Sequence, residues 1–488
     1  MKVLSYTIAL LSLFLLGACN RTKETVITGQ IIGNVDNVIF SNPSQGTNYF
    51  GFRDTLFVDE SGKFELRFNL RQPAFISLLN PQKQNTFRLL LEPGSQSRIL
   101  IDTENGIEIS GANEAGQRLL QTLPNPSWIE MELRGFREET SLTVIRERIH
   151  NLKKEELRQF RQLLDENKIS TSFYDLITID RGVYYASLEA LISQHRMAPY
   201  LMYNNSPEFY EEYSIFHNFL ENQRKIYAQF PPDNESLLLS SFWFEYAQFF
   251  FMHFVPFSQE DFDVLRSREQ FSGKSGGALF LFRFNEAREH LTGKSLEFYQ
   301  AVLIHTTAIQ RRFEKELIDA FEQFKRDFPR SEYIRHIQPL IDKVAAFHNT
   351  ELGENENIIF IENSENINTL AELIEPLRGR KIYIGIWATW CNPCISQFRY
   401  AKAMREILQK NDIQMLYISI DREEFDAQWK RMIKFHDLAG KHIRANDNLR
   451  NYLRGAIPRY ILIDEEGNIL QRNAQRPSQI VAAGNIYF

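Results

Sequence analysis

Two thiols separated by two residues, Cys391 and Cys394 in Cys391-Asn392-Pro393-Cys394, are the side chains of this chain best placed to do chemistry. An apolar run from Ile382 to Ala388 leads into them through Thr389 and Trp390. A pair of thiols delivered by a strand to the start of a helix is arranged to exchange disulfides with other proteins. Unpaired backbone N–H groups and the helix dipole stabilise a thiolate at such a terminus, so Cys391 is expected as the exposed nucleophile. Cys394, one turn inside, is expected to resolve the mixed disulfide. Pro393 falls in the first turn, where its missing N–H is tolerated and its fixed φ helps the helix start. Trp387 and Trp390 are expected to flank the thiols with aromatic surface, Trp390 serving either as a docking edge or as packing. A zinc site would need a second pair of soft ligands, which the sequence lacks, so neither a metal nor a cofactor is expected.

The elements that must position this pair are legible around it. Residues 351–488 alternate strand and helix: a short strand at Ile358 to Ile361, a helix at Thr369 to Leu377, and an apolar central strand at Arg380 to Trp387. A helix at Ser396 to Lys410, a strand at Ile413 to Ile420 and a helix at Asp421 to Leu438 follow. Two strands, Arg459 to Ile463 and Asn468 to Gln471, flank the turn Asp464-Glu465-Glu466-Gly467. Parallel strands with crossover helices, ending in an antiparallel hairpin, predict a mixed sheet covered by helices. The residues after Val481 look too few for a full closing helix, so one sheet face is expected to be left partly open or covered by another region.

The segment Trp387 to Cys394, the Ile457-Pro458 pair ahead of a strand and the Asp464-to-Gly467 turn resemble the TlpA/ResA branch of the thioredoxin-like superfamily, exported thiol-disulfide oxidoreductases. The resemblance implies an α/β thioredoxin-like fold and a cis Ile457–Pro458 bond facing the cysteines, with Trp390, Ile457 and Pro458 receiving an extended substrate polypeptide. It implies cysteine-bearing exported proteins as substrates and a membrane or periplasmic thiol as electron donor. Two departures stand out. Gly385, six residues before Cys391, occupies the place of a buried acid. Gln397 stands where one branch carries a glutamate, and Arg399 replaces the proline that usually follows it. Without a nearby carboxylate, proton transfer at Cys394 is expected to lack general-base help of about 10²–10⁴-fold.

The rest of the chain supplies an anchor and two modules. A basic start, an apolar stretch from Ile8 to Leu16 and the end Leu16-Gly17-Ala18-Cys19 read as a signal of residues 1–18, too short to span a membrane. That end resembles the bacterial lipobox, which implies lipid on Cys19, an anchor and linker at 19–24, and placement in the periplasm, on the outer membrane. Residues 25–111 hold many short strands between turn formers and predict a β-sandwich. Residues 112–350 show helical spacing, including single helices at about 236 to 253 and 294 to 326, and predict an all-α region. The 25–350 part loosely resembles modules ahead of such domains in Bacteroidetes lipoproteins. The aromatic segment Phe242 to Phe254 reads as a buried core helix, with His253 a satisfied polar tip.

A formal net charge of −6, with acids and bases intermixed, argues against nucleic acid as a partner. Three cysteines exclude a structural disulfide framework. Two readings follow: a thiol-disulfide oxidoreductase, reductive by resemblance, or a thioredoxin-fold binding or scaffold lipoprotein with little turnover.

Overall fold

The structure, a computed structural model, describes residues 23–33, 37–41, 53–79, 86–126, 129–139, 141–202, 209–255, 276–310 and 313–486. The signal, Cys19 and the side chain of His253 lie outside the described residues. Among those described, contacts gather into two compact units, one within Met1–Ser272 and Asn285–Val302, the other within Gly273–Phe284 and Leu303–Phe488.

The first unit begins with eight strands: β1 (Lys23–Ile32), β2 (Asn37–Ser41), β3 (Arg53–Phe57), β4 (Lys63–Leu70), β5 (Ala74–Leu79), β6 (Thr86–Leu91), β7 (Gln96–Asp102) and β8 (Gly106–Gly111). They form two four-stranded sheets, β4-β1-β7-β8 and β3-β2-β5-β6. Strand β4 shows why: Phe64, Leu66, Phe68 and Leu70 alternate with exposed Lys63, Glu65, Arg67 and Asn69, so one face enters a core shared with Val38, Ile76 and Leu89 of the other sheet. Helices α1 (Glu114–Thr122), α2 (Leu142–Asp165), α3 (Thr171–Met202), α4 (Phe209–Gln229) and α5 (Trp243–Phe249) follow. The aromatic segment is buried as read, with Trp243, Tyr246 and Phe251 fully covered, although Phe250–Phe254 winds as a π-helical turn. Glu245 of α5 caps the 3₁₀ turn at Ile129–Phe136 by accepting the Ile129 N–H at 2.8 Å.

Helices α6 (Gly276–His290) and α7 (Gly293–Ile309) contribute residues to both units. The single helix expected at 294 to 326 is two, α7 and α8 (Glu316–Asp327), because Phe313 takes a left-handed φ of 56° that a continuing helix does not allow. Helix α9 (Ile334–Asn349) precedes the sheet of the second unit.

That sheet has six strands in the order β14-β13-β10-β11-β12-β9. In chain order the elements are β9 (Ile358–Phe360), α10 (Leu370–Ile374), β10 (Lys381–Trp387), α11 (Asn392–Gln397), α12 (Ala401–Lys410), β11 (Ile413–Ser419) and α13 (Asp426–Phe435), then β12 (Gly440–Arg444), α14 (Asp447–Tyr452), β13 (Arg459–Ile463), β14 (Ile469–Gln471) and α15 (Pro477–Ala483). Strands β9 to β12 pair parallel and β13 and β14 antiparallel, which is a thioredoxin-like α/β arrangement. Central β10 is buried along Ile382 to Trp387, as a strand covered on both faces must be. One face packs Ile382, Ile384 and Ile386 on Leu370, Leu373 and Leu449; the other packs Tyr383 on Met404, Leu408 and Ile480.

The expected open face is corrected. Helix α15 is only seven residues long, yet Ile480 and the following Ile486 enter the Tyr383 cluster and close it. Arg431 of α13 binds three carbonyls at the end of α9, those of Phe347, His348 and Thr350, at 2.7, 2.9 and 2.9 Å. Phe347 also meets Phe435 with ring centroids 5.0 Å apart. Helix α9 is thereby part of the same packed unit as the sheet.

Candidate active site

Strand β10 carries the thiols, and its neighbours decide where it stops. Its parallel register with β11 ends at Trp387 opposite Ser419, and the ladder gains one more bond, Ile420 N–H to the Trp387 carbonyl at 3.0 Å. The next N–H along, that of Thr389, turns to a side chain and donates to both carboxylate oxygens of Asp421, at 2.9 and 3.1 Å. Thr389 Oγ1 donates to the same group at 2.8 Å and Ser419 Oγ at 2.6 Å. Released from the sheet, the chain turns through Ala388 to Cys391, whose N–H donates to the Ala388 carbonyl at 3.0 Å.

Cys391 is the N-cap of α11, and Pro393 lies in its first turn. The Cys391 carbonyl accepts from the N–H groups of Cys394 and Ile395 at 2.9 and 3.0 Å, and its sulfur accepts the Cys394 N–H at 3.2 Å. The two cysteines form a disulfide with Cα atoms 5.2 Å apart. The helix therefore starts at Asn392, not Ser396.

Cys391 is only 4% exposed, so the expectation of an exposed nucleophile is corrected: its sulfur folds back over the first turn onto Cys394. Trp390 beside it is 47% exposed and is the accessible aromatic surface. Trp387 supplies none; it is buried and packs edge-on against Phe398 at 5.0 Å between centroids. The Ile457–Pro458 bond is cis, the isomer the resemblance implies. Because Ile386 pairs with Arg459, the register sets Pro458 beside the Trp387 end of β10. Ile457 is half-buried against the apolar cluster of the sheet. The preceding loop is held by Arg459, which donates to the Leu453 and Arg454 carbonyls at 2.7 and 3.3 Å.

Both departures acquire physical reasons. A side chain at Gly385 would begin 3.3 Å from Met415 Cε and from the ring of Tyr460, which stacks on Tyr383 at 5.5 Å. Paired aromatic rings fill the room a buried acid would need. Gln397 accepts the Ser478 N–H at 3.1 Å and so ties α11 to the first turn of α15. A carboxylate does lie by the loop that leads to the cysteines: Asp421, fully buried just past the end of β11, bonded to Thr389 and not to either thiol. Burial pushes its carboxyl above the ordinary range, against the hydrogen bonds from Ser419 and Thr389 and the charge of Arg444, which pull it down. Its signal in the sequence was small: an acid two residues beyond a serine at the end of a buried strand.

Fold and site together define a thioredoxin-like domain with a Cys-x-x-Cys disulfide at a helix N-terminus. Residues 359–483 match the family model described as Redoxin. Among curated proteins, thiol-disulfide oxidoreductase ResA of Bacillus cereus is 25% identical over 103 residues, 20% of this chain and 57% of the relative. ResA of Geobacillus thermodenitrificans is 26% identical over 97 residues, 19% and 53% of the two chains. The chain thus spans little more than half the length of these relatives. Among solved structures, a thiol-disulfide oxidoreductase of Bacteroides fragilis is 26% identical and covers 22% of this chain and 81% of its own, with a TM-score of 0.19.

Proposed function

We propose that this chain is an exported, lipid-anchored protein thiol-disulfide oxidoreductase that runs as a reductase of cysteine-bearing exported proteins. The observation that carries the reading is the Cys391–Cys394 disulfide at the N-terminus of α11, next in the chain to Trp390, with the cis Ile457–Pro458 bond leading into the strand paired with β10. In the reduced enzyme the Cys391 thiolate attacks one sulfur of a substrate disulfide, forming a mixed disulfide and releasing the other substrate sulfur as a thiolate. Cys394 then loses its proton and attacks the Cys391 sulfur, expelling the second substrate thiolate. The substrate gains two electrons and the enzyme is left as the disulfide. A thiol donor in the cell envelope must return those electrons.

In this proposal Trp390, Ile457 and Pro458 form the substrate-binding edge, while Trp387, Pro393 and Gln397 support it. Lipid on Cys19 holds the modules 25–111, 112–350 and 351–488 at the periplasmic face of the outer membrane. Among the described residues no helix is long and apolar enough to cross a membrane. Replacing Cys394→Ser should trap a substrate adduct through Cys391, visible as a reducible band of higher mass. If no adduct forms and the wild-type pair shows no reversible midpoint, the proposal is wrong and the scaffold reading takes its place.

A further inference from the structure

The least expected charge near the thiols is Asp421. Its two oxygens accept the Thr389 N–H and stand within hydrogen-bond reach of the Thr389 and Ser419 hydroxyls, partners that can all donate to an ionised carboxylate. Thr389 is the central part of the turn that closes from Cys391 N–H onto the Ala388 carbonyl. The carboxylate is therefore bonded to the very loop that presents the nucleophile. Two residues of chain reach at most about 7 Å, which sets the separation of the charge from the Cys391 thiol at about 10 Å or less. The charged group acting on Asp421 from the neighbouring strand is Arg444, whose Nε is itself engaged by Asp426 at 3.2 Å.

Resting on the thiol-disulfide reading above, we propose that Asp421 is a positioning residue that fixes the 388–391 turn and whose charge holds down the thiolate population of Cys391 in the reduced protein. Unlike the acid excluded at Gly385, the carboxylate acts on the loop of the nucleophile, through Thr389. At about 10 Å and an effective dielectric near 20, one unit charge changes the population of a second by about tenfold.

The test uses the full chain with Asp421→Asn and Thr389→Val, reading the rate at which iodoacetamide alkylates Cys391 in the reduced protein, the midpoint of the pair, and the melting temperature. Asn keeps the shape and removes the charge, so alkylation below neutral pH should rise about tenfold and the midpoint should become less negative by about 30 mV, the same factor in a two-electron couple. Thr389→Val keeps the charge and the backbone N–H bonds and loses only the Oγ1 bond, so its midpoint should move far less than that of Asp421→Asn. An Asn variant that melts lower while alkylation and midpoint stay unchanged makes Asp421 merely structural and overturns the inference. If Asp421→Asn does not fold, Asp421→Ser, which also removes the charge, decides: faster alkylation of Cys391 supports the inference and an unchanged rate overturns it. A wild-type pair without a reversible midpoint would sink the exchange reading instead, and the alkylation rates would still decide the role of Asp421.

Discussion

At the scale of residues, the site is shaped as much by what Gly385 excludes as by what the cysteines supply. The Tyr460 ring and Met415 leave a Cβ at Gly385 only 3.3 Å from its neighbours. Met415 ends in a flexible methyl, but Tyr460 is stacked on Tyr383 and has little freedom to move. Replacing Gly385→Ala should therefore cost about 1–3 kcal/mol of stability through overpacking, measurable by chemical denaturation. The motif Cys391-Asn392-Pro393-Cys394 was legible because cysteine is scarce and its spacing is informative. Asp421 was not, because its partners Thr389 and Ser419 come together only through the register of β10 on β11. In a linear reading, an acid two residues beyond a strand's last serine is hard to tell from the ordinary start of a helix.

At the scale of elements, the same contrast decides which parts of the fold the pattern reveals. Strand β10 announces itself by an unbroken apolar run, as a strand buried on both faces does. Strand β12, Gly440-Lys441-His442-Ile443-Arg444, goes unread because only Ile443 is apolar. Its buried polar residue, His442, is accommodated by stacking on Tyr417 at 4.8 Å and by a ring nitrogen 2.7 Å from the Leu438 carbonyl. Helix α14, six residues long, is likewise too short for a helical period to show, and strand β8 has only Ile107 and Ile109 as apolar residues. Helix α5 carries a prediction of its own. Burial pushes Glu245 up to about 8 from an ordinary 4.5, with the neighbouring Glu130 carboxyl adding to the rise against the Ile129 N–H. The folded state then binds a proton that the unfolded state has already lost. Stability from this group is present below about 4.5 and drains away as pH rises toward about 8. The slope should be at most about 1.4 kcal/mol per pH unit, and Glu245→Gln should flatten it in melts taken across that window.

At the scale of the whole molecule, the packed unit around the cysteines does not begin where the α/β pattern begins. Arg431 binds the carbonyls at the end of α9, and Phe347 lies against Phe435 while stacking on Phe313 at 4.4 Å. A fragment of residues 351–488 would leave Arg431 and Phe435 without these partners. It should melt at a lower temperature than one of residues 303–488, and equal melting points would show that α9 is dispensable. The sequence boundary near 350 follows a change of period, whereas packing follows side chains that cross it. The clasp between Gln397 and Ser478 has an implication of a different kind, because its partners lie 81 positions apart. A chain made from its N-terminus releases both thiols well before Ser478 arrives, so during synthesis the reactive helix exists for a time without its last tether. Whatever the nascent thiols meet in that interval, they meet before the helix has been fastened down.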